Sequence, residues 1–215
     1  MDQLFHRIPL FPLGIVLMPE TPLPLHIFED RYRQMIRRCR ETGEEFGVVS
    51  AVDRVMRTVG CTARITSVLS EFEDGRVDIM TQGKQRFYVS DLHEELPYFE
   101  GTVHYFTDES TTDGGPVDGE LSRGIELFRR VSQLAEVSLD TRFLTRLSAE
   151  ALSFVLAGTC TTDPEERQSL LELRSTRERL TRCIASLEQT ARIMELQQRV
   201  SHMVGTGFGF EELRN

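Results

Sequence analysis

The feature that most constrains this chain is a change of hydrophobic period at one place. Up to about Phe106 turn formers recur every eight to twelve residues, whereas beyond Asp118 apolar residues return every three or four positions. The first rhythm belongs to many short strands and the second to amphipathic helices. The chain is therefore expected to be α+β, a mainly-β N-terminal part followed by an α-helical part. The expected segments are 1–107 for the β part, 108–118 for a linker, 119–204 for the helices and 205–215 for a flexible tail.

In the β part the candidate strands are Phe46–Val52, Thr62–Glu71, Arg76–Thr81, Gln85–Ser90 and Phe99–Phe106, with Asp74-Gly75 as a hairpin turn. Apolar residues alternate in Arg64–Leu69 and Val77–Ile79, the mark of a half-buried strand. Ile8–Phe11 and Leu23–Ile27 also read as strands. Their prolines, Pro9, Pro22 and Pro24, lack the N–H that a central ladder needs, which predicts edge or rim positions. One short helix interrupts the strands: Phe28, Tyr32, Met35, Ile36 and Cys39 fall on one face, and Glu29 with Arg33 makes an i,i+4 pair. Acidic Glu29 and Asp30 at its start and arginines towards its end complement the helix dipole.

The linker, Asp108 to Asp118, is rich in turn formers and poor in apolar residues. Helices are expected at about Gly119–Ala135 and Thr141–Ala157, and a third from Asp163-Pro164-Glu165-Glu166, which reads as a capping box with Pro at the first helical position. That helix is predicted to continue to about Met203. Leu173, Leu180, Ile184, Leu187, Ala191 and Met194 form its seam, and Glu178/Arg182, Glu188/Arg192 and Glu195/Arg199 are i,i+4 pairs. In the tail, Phe208 and Phe210 on glycine-rich chain suit intramolecular docking or insertion into a partner, and the first is favoured.

Charge narrows the function. A net charge of -9 argues against a protein held on phosphates or anionic lipid. Of the 25 basic residues Lys84 is the only lysine, leaving 24 arginines, whose planar forks suit bidentate pairing. The five arginines Arg31, Arg33, Arg37, Arg38 and Arg40 spread around the short helix without an aromatic platform, which favours a solvated face over a nucleic-acid patch. Cys39, Cys61, Cys160 and Cys183 include no C-x-x-C pair, so they read as reduced, buried, cytoplasmic thiols. The N-terminal apolar run, broken by His6, Arg7, Pro9, Pro12 and Gly14, reads as neither a signal peptide nor a membrane span.

Catalytic motifs fail on residue type. Gln82-Gly83-Lys84-Gln85 lacks the second glycine and hydroxyl of a phosphate-cradling loop, and Lys84, expected in a solvated turn, would stay charged and unable to act as a base. His93-Glu94-Glu95-Leu96 begins like a zinc helix, but Pro97 stands where the second ligand belongs. No G-x-S-x-G occurs. His26, between Leu25 and Ile27, points away from the apolar strand face and reads as a hydrogen-bonding corner residue. No catalytic, cofactor or metal site is nominated.

The stretch IPLFPLGIVLMPETPLPLHIFEDRYRQMIRRC, Ile8 to Cys39, resembles the opening of the N-terminal substrate-recognition domain of the Lon family of ATP-dependent proteases. The resemblance continues through Phe46-Gly47-Val48-Val49, Val59 to Ala63, Asp74-Gly75-Arg76 and Gly83 to Phe87, and more loosely through Gln168 to Glu172 and Arg179-Leu180. Glu20 stands where the family usually has glycine and Asp30 where it often has proline, so the local turn and helix start are expected to differ in detail. The resemblance implies a PUA-like pseudo-barrel carrying a short helix, then a helical subdomain ending in a long helix. It also implies a stand-alone recognition domain, without the family's ATPase and Ser-Lys protease domains, that binds peptides or unfolded proteins. Such a protein would act as an adaptor or regulator of proteolysis, with a full-length Lon protease as a further partner. The candidate peptide contacts are Phe11 and Met18 near the barrel rim and Arg31 and Arg38 on the short helix. The alternative is RNA binding through the barrel, against which the acidic balance counts.

Overall fold

The structure is a computed structural model that describes residues 6–52, 55–109, 117–137 and 141–206, with side chains to 201. The first half holds β1 (His6–Leu13), β2 (Pro22–Ile27), α1 (Asp30–Thr42), β3 (Phe46–Val52), β4 (Val55–Glu71), β5 (Val77–His93) and β6 (Glu100–Tyr105). The strand order is β2-β5-β4-β3-β1-β6, and a further β5–β6 pairing closes all but β2 into a barrel. Ile8, Leu10, Val49, Phe87 and Val103 fill its lumen. A Cβ on Gly47 or Gly60 would lie 2.6 or 2.7 Å from the Phe87 ring, so only glycine admits that ring between the two strands.

Two expectations about these strands are corrected. The segments Arg76–Thr81 and Gln85–Ser90 are one strand, β5, running straight through Gly83 and Lys84. Gly83 is a point of close approach rather than a turn: its N–H donates to Thr21 O at 2.9 Å, and a Cβ there would stand 2.1 Å from Met18 O. On one side β5 exchanges its β2 partner for β6 after this glycine. β2 is an edge strand as expected, but β1 lies inside the sheet. His6–Pro9 pair with β6 and Leu10–Leu13 with β3, so each half of β1 serves one neighbour and a bare proline nitrogen facing the other side breaks no ladder.

α1 buries Tyr32, Met35, Ile36 and Cys39 against the sheet, while Phe28 precedes the helix and stays in solvent. The expected Glu29/Arg33 pair is replaced by Arg31–Glu29 and Arg33–Asp30. Glu20 adopts φ 63°, the left-handed region that glycine enters freely and that costs another residue roughly 1 kcal/mol.

The second half holds α2 (Asp118–Leu134), a 3-10 turn at Thr141–Arg146, α3 (Ala149–Cys160), α4 (Pro164–Glu172) and α5 (Thr176–Thr206). Two expected helices are therefore split. Ser148 caps α3, its hydroxyl accepting from Ala151 N, so the 3-10 turn cannot run on into it. The expected third helix breaks between Glu172 and Thr176. Asp163 caps α4, whereas the Ser175 hydroxyl accepts from Glu178 N and starts α5 afresh. Ser175-Thr-Arg-Glu178 is a capping-box sequence that signals this second start. At 31 residues α5 is about 46 Å long, shorter than the unbroken rod expected.

Leu180, Cys183, Leu187 and Ala191 form the buried seam of α5. Glu178–Arg182 pairs as expected, but Glu188 and Glu195 turn instead to Arg123 and Arg130 of α2. They bridge two helices rather than one surface. Phe208 and Phe210 lie outside the described residues.

Candidate peptide-binding site

The two halves meet over a buried ionic cluster that is structural. Arg86 of β5 and Arg179 of α5 both grip Asp108, at 2.5 and 2.6 Å, and Thr176 donates to the same carboxylate at 2.5 Å. Two guanidinium groups on one carboxylate leave an excess positive charge, which neighbouring dipoles and rings balance. Arg86 donates to Leu171 O and Leu173 O, Arg179 donates to Leu173 O and Ser153 Oγ, and the Arg179 guanidinium sits 3.7 Å from the Phe154 ring centre. Burial acts to raise the Asp108 carboxyl, but hydrogen bonds from Arg179 and Thr176 and the adjacent positive charges hold it below the usual carboxylate range.

Beside the cluster a cleft of about 340 Å³ opens between the barrel and α3. Its polar groups are already engaged: Lys84 donates to Gln82 at 2.7 Å, Gln82 to Glu20 at 3.1 Å, and Glu150 lies 3.9 Å from Arg86.

At the far end of β5 the chemistry is reversed. β2, β5 and β4 form a three-stranded extension in which Ile27, Val77 and Ile79 face the core and His26 and Asp78 face outward. His26 Nδ1 lies 2.5 Å from Asp78 Oδ1, which fits the corner role expected of it. Its ring stacks on Phe28 at 5.9 Å and meets Phe72 edge-on at 6.0 Å, and the Arg76 guanidinium lies 5.1 Å from the Phe72 ring centre. Phe28 is 60% exposed, Leu69 54% and Phe72 40%. The hairpin turn holds Phe72 out, its N–H donating to Arg76 O at 3.0 Å while Gly75 takes φ 84°. Single exposed apolar residues need no explanation, but a contiguous aromatic group on a surface does.

The edge beside this group is also open. β3 pairs with β4 only as far as Ala63, and among the described residues Ile65–Glu71 pair with β5 alone. A free strand edge next to exposed aromatic rings can accept an extended chain, the backbone joining the ladder and the rings taking side chains.

The expected contact residues lie elsewhere. Phe11 is 6% exposed and packs against the tilted Tyr32 ring at 4.2 Å, and Met18 is 1% exposed, so both are core residues that offer a peptide no surface. Both belong to the core outside the barrel lumen, Phe11 under α1 and Met18 on the connection between β1 and β2. Arg31 lies over the Tyr32 ring and pairs with Glu29. Arg38 is held by Glu100 and Glu44, at 2.7 and 2.8 Å, and donates to Tyr98 Oη at 3.2 Å. With Arg33 on Asp30 and Arg40 on Glu71, four of the five arginines of α1 are paired with carboxylates. The exposed rings are instead Phe28, which lies on the apolar face in sequence but precedes the helix, and Phe72, which follows the alternating run and adjoins Asp74-Gly75, a position that signals a tip.

No helix among the described residues is long and apolar enough to cross a membrane. Comparison with known proteins places the chain. Residues 7–189 match the sequence profile of the ATP-dependent protease La (LON) substrate-binding domain. Similar relatives include the Lon protease of Amoebophilus asiaticus, 24% identical over 89% of this chain and 24% of that protein. Lon protease 2 of Herpetosiphon aurantiacus is 26% identical over 92% of this chain and 26% of that protein. The chain thus spans about a quarter of the length of these relatives. Among solved structures, a Lon N-terminal domain protein from Xanthomonas campestris superposes with a TM-score of 0.63 at 27% identity, covering 84% of this chain and 98% of that one. The N-terminal domain of a Mycobacterium avium complex Lon protease shares the fold with a TM-score of 0.67 at 18% identity, covering 85% and 98%. With the fold, the profile and the relatives in agreement over most of its length, the chain belongs to the Lon substrate-binding domain family.

Proposed function

We propose that this chain is a non-catalytic recognition module that binds extended or unfolded protein segments at the aromatic tip and the adjoining β4 edge. In this reading it delivers or withholds substrates as an adaptor or regulator of proteolysis, with a full-length Lon protease as its partner. One observation carries the reading: Phe28 and Phe72 stand in solvent around His26, beside a strand edge that pairs on one side only. Fully burying one phenylalanine contributes about 2 kcal/mol, and with Phe28 60% and Phe72 40% exposed the two rings together have about that much left to contribute, enough to shift affinity by roughly 10-fold.

The test is fluorescence anisotropy with a labelled, reduced and carboxymethylated reporter protein that cannot refold. Saturable binding is expected, about 10-fold weaker in the double variant F28S/F72S, with only a shallow dependence on salt. No binding, or equal binding by the variant, removes the reading. Binding of a single-stranded RNA oligonucleotide that collapses steeply with added salt would replace it with the RNA alternative.

A further inference from the structure

α1 carries its arginines on two sides. Arg31 and Arg38 lie on one, and Arg33, Arg37 and Arg40, spaced i, i+4 and i+7, form a stripe on another, which faces the β4–β5 hairpin. Between the stripe and the hairpin lies a pocket of about 240 Å³, lined by Arg33, Arg37, Arg40 and Arg76 together with Glu71 and Phe72. Both ends of the stripe are fastened. Arg33 donates to Asp74 O and pairs with Asp30, and Arg40 pairs with Glu71 at 2.6 Å. A Cβ on Gly75 would stand 2.8 Å from Arg33 Nη1, so the glycine that turns the hairpin also makes room for this guanidinium. Arg76 is held by Asp74 at 2.7 Å and lies against the Phe72 ring. Arg37, between the fastened ends, is exposed and has no carboxylate partner among the described residues.

The pocket wall thus sets four guanidinium groups against one carboxylate, Glu71, while Asp30 and Asp74 lie outside the lining. In a chain of net charge -9 this is a local reversal of sign. A guanidinium fork matches the geometry of a carboxylate, and three of the four forks are already held in place by their neighbours, so little side-chain freedom remains to be lost on binding.

The geometry points to this pocket as the binding site for an acidic side chain, aspartate or glutamate, of the captured segment. The assignment rests on the capture proposed above, because Phe72 and Arg76 belong to the pocket and to the aromatic tip alike. A segment seated on Phe72 has its neighbouring side chains within reach of Arg37. The tip by itself accepts any large apolar side chain. The pocket adds a preference for segments in which an acidic residue adjoins the apolar one, and it disfavours lysine or arginine at that place by like-charge repulsion.

Fluorescence anisotropy compares two labelled peptides that share two phenylalanines and differ only in carrying glutamates or glutamines beside them. The natural chain should bind the glutamate peptide about 5-fold more tightly at low salt, and the advantage should vanish in high salt. R37Q should bring the glutamate peptide to the level of the glutamine peptide, and since Arg37 is exposed and unpaired this change does not challenge the fold. R199Q, which removes an exposed arginine of α5, should keep the advantage. F28S should weaken both peptides to the same degree. Equal binding of the two peptides by the natural chain overturns the pocket assignment and leaves the aromatic tip standing, whereas binding of neither removes the reading of the tip. The pocket is judged separately by the rate at which phenylglyoxal labels Arg37, mapped by mass spectrometry. The glutamate peptide should slow that labelling several-fold and the glutamine peptide should not. Unchanged labelling, or stronger protection by inorganic phosphate or by a single-stranded RNA oligonucleotide than by the glutamate peptide, overturns the proposal.

Discussion

The junction around Asp108 and the tip around His26 use the same residue types to opposite ends. At the junction, Arg86 and Arg179 are buried, every strong donor is directed at a carboxylate, a hydroxyl or a carbonyl, and the rings of Phe106 and Phe154 are covered by guanidinium groups. At the tip, Arg76 and the rings of Phe28 and Phe72 stay in water, and the polar contacts, such as His26–Asp78 and Arg76–Asp74, are between exposed or half-exposed groups. Charge that is removed from water must be fully matched, and once matched it fixes geometry; charge left in water is screened and contributes little. The first region holds the fold together. The second leaves its apolar surface free for something else.

That contrast is broken most directly at Asp108. Asp108→Asn leaves two buried guanidinium groups facing a neutral amide, so urea unfolding should show a loss of about 3–5 kcal/mol. The natural protein should also weaken in acid. The folded carboxyl sits below its unfolded value, so its contribution is complete above about pH 4 and is lost as pH falls through the folded value. Thermal melting followed downward from pH 5 should show this loss, and Asp108→Asn should not share it.

Gly83 tests the strand that joins the two regions. A methyl group at this position would overlap Met18 O, so Gly83→Ala should cost about 3 kcal/mol by the same urea measurement. At the tip the expected pattern is inverted. F28S/F72S should change the urea midpoint by less than about 0.5 kcal/mol while weakening reporter binding about 10-fold. A large stability loss there would mean that the rings serve the fold after all. The smallest effect is expected at Arg57–Glu165, an exposed pair between β4 and α4, where Glu165→Gln should cost roughly 0.2–1 kcal/mol and should shrink further in high salt.

The same contrast explains what the sequence disclosed. Local rules were legible: the spacing of turn formers marked β3, β6 and the second part of β4, alternation in Arg64–Leu69 supported the last, and the face of Tyr32, Met35, Ile36 and Cys39 marked α1. The start of β4 at Val55 was not marked. Misplaced features depended on partners far along the chain. Gly83 reads as a turn until Met18 and Thr21 are seen packed against it, and β1 reads as an edge until β3 and β6 flank it. Arg86, Asp108 and Arg179 come from a strand, a loop and a helix, a spacing that no periodic pattern reports. The α4–α5 break was readable, because Ser175 and Glu178 carry a start signal. The tip was half readable. His26 was recognised as an outward corner residue, but Phe28 was given to the helix that begins just after it.

β5 runs from Val77, beside the tip, to Arg86 at the junction without leaving the extended conformation, a span of about 30 Å. Tension on a captured polypeptide would therefore travel lengthwise down a single strand and load its lateral hydrogen bonds in shear, many at once, instead of unzipping them one after another. In the proposed reading, such an anchor would let the tip resist a pull while the rest of the barrel stays at rest.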